Sequence, residues 1–206
     1  MAFSPDAARR LDVFLSDCAR ATWTEARWNL AVAYFAGEGI TRFAYHHLPP
    51  LGAPDAGRVR VVATGFPKDW VADYIRSKAF RIDPIPAQAL AQEAPFKWSE
   101  IAGLRELSEA EAAYLESMRA ADLGDGLAIQ AFGPGGRNGY FAVGDIPGEA
   151  GWDPAKVLII RTACQFSHRR YCRLLRDTIP APRHLSDRER ELLYWVAQGK
   201  SNGVIA

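Results

Sequence analysis

The chain has 206 residues, 49% of them apolar and 24% charged, with a formal net charge of +1. That length holds one large domain, or one domain and a fragment, and it can bury a core without disulfide or metal support. The near-neutral balance excludes a globally basic nucleic-acid binder, and no apolar run reaches the roughly 20 residues of a membrane-spanning helix.

Residues Met1 to Asp6 carry neither a basic n-region nor an apolar h-region, so no signal peptide is expected. Three cysteines, Cys18, Cys164 and Cys172, lack C-x-x-C spacing and read as buried thiols in a reducing cytoplasm. Neither a metal site nor a disulfide framework is expected.

Taken in chain order, Ser4-Pro5-Asp6 is a helix start, with Ser4 as N-cap and Pro5 at the first helical position. A second helix follows Thr24 and stops at Gly37 and Gly39. Strand-like runs come next, Ile40 to Leu48 and Arg58 to Thr64, joined by a Pro/Gly-rich piece. Phe66-Pro67 opens a helix expected to reach Lys78, and Asp83-Pro84 opens a short one. Ser108 with Glu111 forms a capping box for a helix to about Leu123. Gly126 to Gly133 and Gly139 to Gly144 read as strands around the turn at Pro134-Gly135-Gly136. A long helix from Asp153 to Asp177 closes this part. Helices and strands in that order predict an α+β fold: an α-β-α sandwich with a central antiparallel sheet and helices on both faces.

Two prolines and no helical period make residues 178–184 a linker between a domain at 1–177 and a short all-α segment at 185–206. Ser186 with Glu189 is a second capping box, Leu192, Leu193, Val196 and Ala197 form an apolar stripe, and Gly199 stands at a C′ position. Ser201 then caps a further helix start, and two helices across a tight glycine turn begin a helix-turn-helix.

The run Leu185-Ser-Asp-Arg-Glu-Arg-Glu-Leu-Leu-Tyr-Trp-Val-Ala-Gln-Gly-Lys-Ser-Asn-Gly-Val-Ile-Ala206 resembles the opening of the LuxR-type DNA-binding domain over 22 residues. Val204 departs from it, standing where that family usually has Glu. The resemblance implies that the groove-reading third helix would begin after Ala206, so the module is expected to be truncated here. Lys200, Ser201 and Asn202 could then touch phosphate without reading sequence.

Upstream, Phe66-Pro-Lys-Asp-Trp70-Val-Ala-Asp-Tyr74, then Asp83-Pro84, then Pro95-Phe-Lys-Trp98 is similar to the autoinducer-binding domain of LuxR-type quorum-sensing regulators. Gly126 matches that family's glycine at the start of a later strand. Singly, each of these residues has a plain structural reading. Trp70 and Tyr74 lie four apart on one helix face, on a stripe with Val71 and Ile75 expected to face the sheet. Asp83 is an ordinary N-cap, and Trp98 a core filler. Together, at the family spacing, they imply a signal site.

The resemblance implies an N-acyl-homoserine lactone or analogue as the ligand, with no other cofactor. Trp70 would donate to the lactone carbonyl, Asp83 would accept the amide N–H, and Tyr74 would donate to the amide carbonyl. Trp98 would wall the lactone ring, and Tyr114, Met118 and Leu123 would line the acyl tail. Phe66 and Ala142 stand where many members carry a hydroxyl, and Gln130 replaces a common proline. These departures predict an acyl part unlike the common 3-oxo chains, or a ligand outside the lactone class. Homodimerisation is expected from the family, with DNA bound only by the full-length protein.

An enzyme is not expected. His46 and His47 are adjacent on a strand and point to opposite faces, and no G-x-S-x-G, H-E-x-x-H or phosphate-loop motif occurs. The five arginines between Arg161 and Arg176 read as a solvated helix face, with Val157, Ile160, Ala163 and Leu174 on its apolar side. A chain that ends naturally at Ala206 would be an anti-activator, pairing with full-length relatives and holding only one reading head.

Overall fold

The computed structural model describes residues 4–56, 60–146, 152–179 and 184–205. Local signals place its helices. Helix α1 (Pro5–Arg20) starts where Ser4 Oγ accepts the Ala7 N–H at 3.1 Å. Helix α2 (Thr24–Gly37) ends before Gly39, whose φ of +84° turns the chain toward the sheet. Strands β1 (Phe43–Leu48) and β2 (Arg60–Thr64) follow. The first is shorter than its sequence pattern, and positions 58 and 59 of the second fall outside the described residues. Helix α3 (Lys68–Arg76) stops short of Lys78, which takes a left-handed φ of +58°.

Helix α4 (Pro84–Ala91) is capped by Asp83, and α6 (Glu109–Ala120) carries the expected box of Ser108 and Glu111. Between them lie two short elements that periodicity does not reveal, β3 (Phe96–Lys97) and α5 (Ile101–Leu104). Strands β4 (Gly126–Phe132) and β5 (Asn138–Gly144) form the hairpin, and α7 (Pro154–Arg176) the long closing helix. Positions 180–183, most of the expected linker, lie outside the described residues. Helix α8 (Asp187–Ala197) has its capping box of Ser186 and Glu189, Gly199 takes φ +75°, and α9 (Asn202–Ile205) follows.

The sheet is antiparallel throughout, in the order β2-β1-β5-β4-β3. Alternation along its strands divides the interior in two. Phe43, Tyr45, Leu127, Ile129, Phe141 and Val143 face α1, α2 and α7 and build the main core. Ala44, Ala128, Tyr140 and Ala142 point the other way, toward Tyr74, Ile85, Trp98, Ile101 and Tyr114. The fold is thus the expected α-β-α sandwich. Ile160, Ala163 and Leu174 of α7 are buried and Val157 packs against the same core.

Two expectations need correction. Ile75 is 46% exposed, not on the sheet-facing stripe. Five residues beyond Trp70 it stands about 140° round the helix, past the edge of the buried face. On α8 no residue is buried: Leu193, Tyr194, Trp195 and Val196 are exposed, and only Leu192 of the apolar stripe is partly covered. Among the described residues no helix is long and apolar enough to cross a membrane.

Candidate functional site

A cavity lies between the sheet and the helices α3, α4 and α6. Its lining includes all nine residues singled out in the sequence: Phe66, Trp70, Tyr74, Asp83, Trp98, Tyr114, Met118, Leu123 and Ala142. It also includes residues not expected in the ligand site, among them His46 on β1 and Tyr140 on β5. The space is small, about 40 Å³, room for one or two waters.

Asp83 is the polar centre. Its Oδ1 accepts the Ile85 N–H at 3.0 Å, capping α4. Its Oδ2 accepts the Tyr74 hydroxyl at 2.9 Å and the Tyr114 hydroxyl at 3.3 Å. Asp83 as a residue is only partly buried, yet its carboxyl is enclosed. Desolvation pushes its pKa up to about 6, against the three hydrogen bonds that pull it down. Burial and the nearby Asp83 raise the Tyr74 and Tyr114 phenols well above their usual range, so both stay protonated donors.

Aromatic rings form the walls. Trp70 stacks on Tyr74 at 5.5 Å between centroids, and Tyr114 lies 6.1 Å from Tyr74. Phe66 and Trp98 face each other at 6.4 Å. Trp98 is 5% exposed, and among the described residues its buried indole N–H has no hydrogen-bond acceptor of good geometry; the nearby group is the Tyr140 hydroxyl. Gly126 lets this wall close, because a Cβ there would meet Trp98 and the Gly144 Cα at 2.8 Å. Tyr114, expected beside an acyl tail, instead sends its hydroxyl to the polar centre. Gln130 explains its own departure from proline, since its side-chain amide donates to the Gln92 and Glu93 carbonyls at 2.9 and 2.8 Å and ties the end of α4 to β4.

The other sheet face holds a second polar cluster. His47 Nε2 lies 2.9 Å from Asp55 Oδ2, and Arg137 bonds both oxygens of Asp55. Tyr45 lies 2.9 Å from His168 Nδ1 and 3.4 Å from His47 Nδ1, and His168 Nε2 lies 2.9 Å from the Arg137 carbonyl. Donor atoms of His47, His168 and Cys172 come within 4.8 Å of one another, as a metal site would require. Each of the four ring nitrogens already has a hydrogen-bond partner, however, and the guanidiniums of Arg27 and Arg137 bear on the cluster. It reads as a buried clasp joining β1, the loop at Asp55, the β4–β5 turn and α7. Cys18, Cys164 and Cys172 are buried and free, as expected.

Fold and cavity together define a small-molecule-sensing domain. The profile of the autoinducer binding domain matches residues 24–171, and the chain belongs to that family, the sensor domain of LuxR-type quorum-sensing regulators. It is 28% identical over 167 residues to the HTH-type quorum sensing-dependent transcriptional regulator RpaR of Rhodopseudomonas palustris, covering 79% of this chain and 65% of that protein. It is 26% identical over 163 residues to the transcriptional activator protein BjaR1 of Bradyrhizobium diazoefficiens, covering 78% and 66%. The matches thus span just under two thirds of each relative's length.

Solved structures share the fold. Escherichia coli SdiA in complex with octanoyl-rac-glycerol superposes with a TM-score of 0.65 at 19% identity, covering 100% of this chain and 82% of that one. The N-acylhomoserine lactone dependent LuxR family factor CepR2 of Burkholderia cenocepacia gives 0.62 at 17%, covering 84% and 100%.

Proposed function

We propose that this chain is the signal-sensing part of a LuxR-type transcriptional regulator, binding an N-acyl-homoserine lactone or a close analogue in the cavity around Asp83. Residues 1–177 form the sensor, 178–184 the linker and 185–206 the start of the helix-turn-helix. The full-length protein acts as a cytoplasmic homodimer on DNA, where Lys200, Ser201 and Asn202 contribute phosphate contacts. Lys200 and Ser201 are exposed in the turn before α9, a placement that supports this role.

The observation that carries the reading is convergence. Nine residues from α3, α6, β5 and the intervening segments, among them the cap of α4, line one cavity, with a carboxylate and two phenols at its centre. A lactone amide N–H would meet Asp83 as a charge-assisted bond. The Trp70 indole N–H would donate to the lactone carbonyl, and Tyr74 would turn from Asp83 to the amide carbonyl. Trp98 would cover the ring, while Phe66, Met118, Leu123 and Ala142 bound the tail. CepR2 is named as lactone dependent and SdiA was solved with an acyl glycerol. Both support an acyl ligand with a small polar head.

A drug-sized ligand needs roughly 300 Å³ or more, so the aromatic walls on α3 and α6 must part to admit it. Ligand binding then completes the second core. Thermal shift with a panel of N-acyl-homoserine lactones and acyl glycerols is expected to raise Tm by about 5–10 °C at about 100 times Kd. No shift from any lactone would refute the lactone reading, and a shift from acyl glycerols alone would move the signal to that class.

A further inference from the structure

The sheet side of the cavity is built from two neighbouring rungs. One is all alanine, Ala63, Ala44, Ala142 and Ala128, paired across four strands. The next, two residues along each strand, reads Val61, His46, Tyr140, Gln130. The alanine rung offers a ligand no side-chain hydrogen bond, and Ala142 in particular has no hydroxyl. The second rung carries three polar side chains, all buried.

Gln130 is committed to the Gln92 and Glu93 carbonyls. His46 and Tyr140 are not committed in that way. His46 is 6% exposed and lines the cavity. Its ring lies edge-on to those of Tyr74 and Tyr140, at 5.6 and 5.1 Å, and among the described residues no group hydrogen-bonds its nitrogens. Burial lowers its pKa to about 4, so at neutral pH it is an imidazole with one donor and one acceptor. Tyr140 is buried and protonated; the Trp98 indole N–H lies beside its hydroxyl, and the Asp83 carboxylate bears on it. Each thus keeps hydrogen-bonding capacity open to a ligand that enters the cavity.

We infer that His46 and Tyr140 form a second polar subsite, about 7 Å along the strands from the Ala142 position, that selects a signal bearing a hydroxyl or carbonyl group within its tail. This deepens the preceding section's reading and rests on it. The hydrogen-bonding function missing at Ala142 and Phe66 is supplied one rung farther along, by a pair that can both donate and accept. A plain alkyl tail would leave both groups unpaired, whereas a tail with one suitably placed polar group would satisfy them.

The test is a binding series with N-octanoyl-homoserine lactone and analogues carrying a single hydroxyl at successive chain carbons. At least one hydroxylated member is expected to bind the wild-type protein about tenfold more tightly than the unsubstituted lactone. Tyr140→Phe, which removes one oxygen, and His46→Phe, which keeps a ring, should each erase that advantage, read within each protein as the ratio of hydroxylated to unsubstituted affinity. If one variant fails to fold, the other decides. Equal binding of all members to the wild type, or an advantage that survives in the folded variants, overturns the subsite alone. Failure of every lactone to bind the wild type overturns the lactone reading and the subsite with it.

Discussion

Asp83→Asn is expected to make the unliganded protein more stable at pH 7.5, by about 3 kcal/mol, while weakening signal binding at least tenfold or so. The first half follows from linkage. The folded-state pKa of Asp83 is about 6, above the roughly 3.9 of an unfolded aspartate. Between about pH 4 and pH 6 the folded state therefore holds more protons than the unfolded one, and stability falls as pH rises. The loss, about two pKa units, is complete above pH 6 and absent below pH 4. Asparagine keeps its oxygen for the Ile85 N–H and has no charge to desolvate; its NH2 replaces Oδ2, so the Tyr74 and Tyr114 hydroxyls rotate to accept from it. Its melting temperature should exceed the wild type's by about 8 °C at pH 7.5 and converge with it near pH 4. The second half follows from the lost charge-assisted bond to a ligand amide. Parallel pH profiles for the two proteins would remove the electrostatic account of this residue.

Gly126→Ala should be strongly damaging, costing about 3 kcal/mol or more. A methyl there meets the Val143 carbonyl oxygen, the Gly144 Cα and the Trp98 ring at once. Two of the three are backbone of the paired strand β5, which cannot rotate away. Either the β4–β5 ladder opens at its first pair, Gly126 and Gly144, or Trp98 leaves the cavity wall. Both outcomes reach the ligand site. A drop in Tm of about 10 °C with loss of the ligand-induced shift is expected. Gly37→Ala is the control: nothing lies within 4 Å of that position, and its effect should stay within about 1 kcal/mol. Denaturation melts that rank the two alike would contradict this picture of the cavity wall.

Much of this fold was legible because its signals are local. Ser4, Asp83, Ser108, Asp153 and Ser186 each cap the helix they precede, since an N-cap needs only its own next turn. The split of His46 from His47 followed from strand alternation alone. Trp70, Tyr74, Asp83 and Trp98 stood out because their spacing is that of a family, not because any of them is unusual by itself.

The remaining features depend on contacts distant in sequence. That Tyr114 reaches Asp83, 31 positions away, requires knowing how α6 lies over α4. That His46 rather than His47 faces the cavity depends on which side of the sheet α3 covers. Phe96–Lys97 forms a strand only because Ala128 and Leu127 lie beside it. Ile75 misled for a different reason: an apolar residue at the margin of a short helix fits the stripe in sequence but not in angle.

The central claim is that the Asp83 cavity is a signal site. Its most direct test is calorimetric titration of the lactone that best stabilises the wild type into wild-type and Trp70→Ala proteins. Trp70 is only partly buried, so its removal leaves the fold standing while taking away both an indole donor and a cavity wall. The account predicts one ligand per chain for the wild type and affinity weaker by a factor of about ten to one hundred for Trp70→Ala. Equal affinities in the two folded proteins would place the signal elsewhere and contradict it.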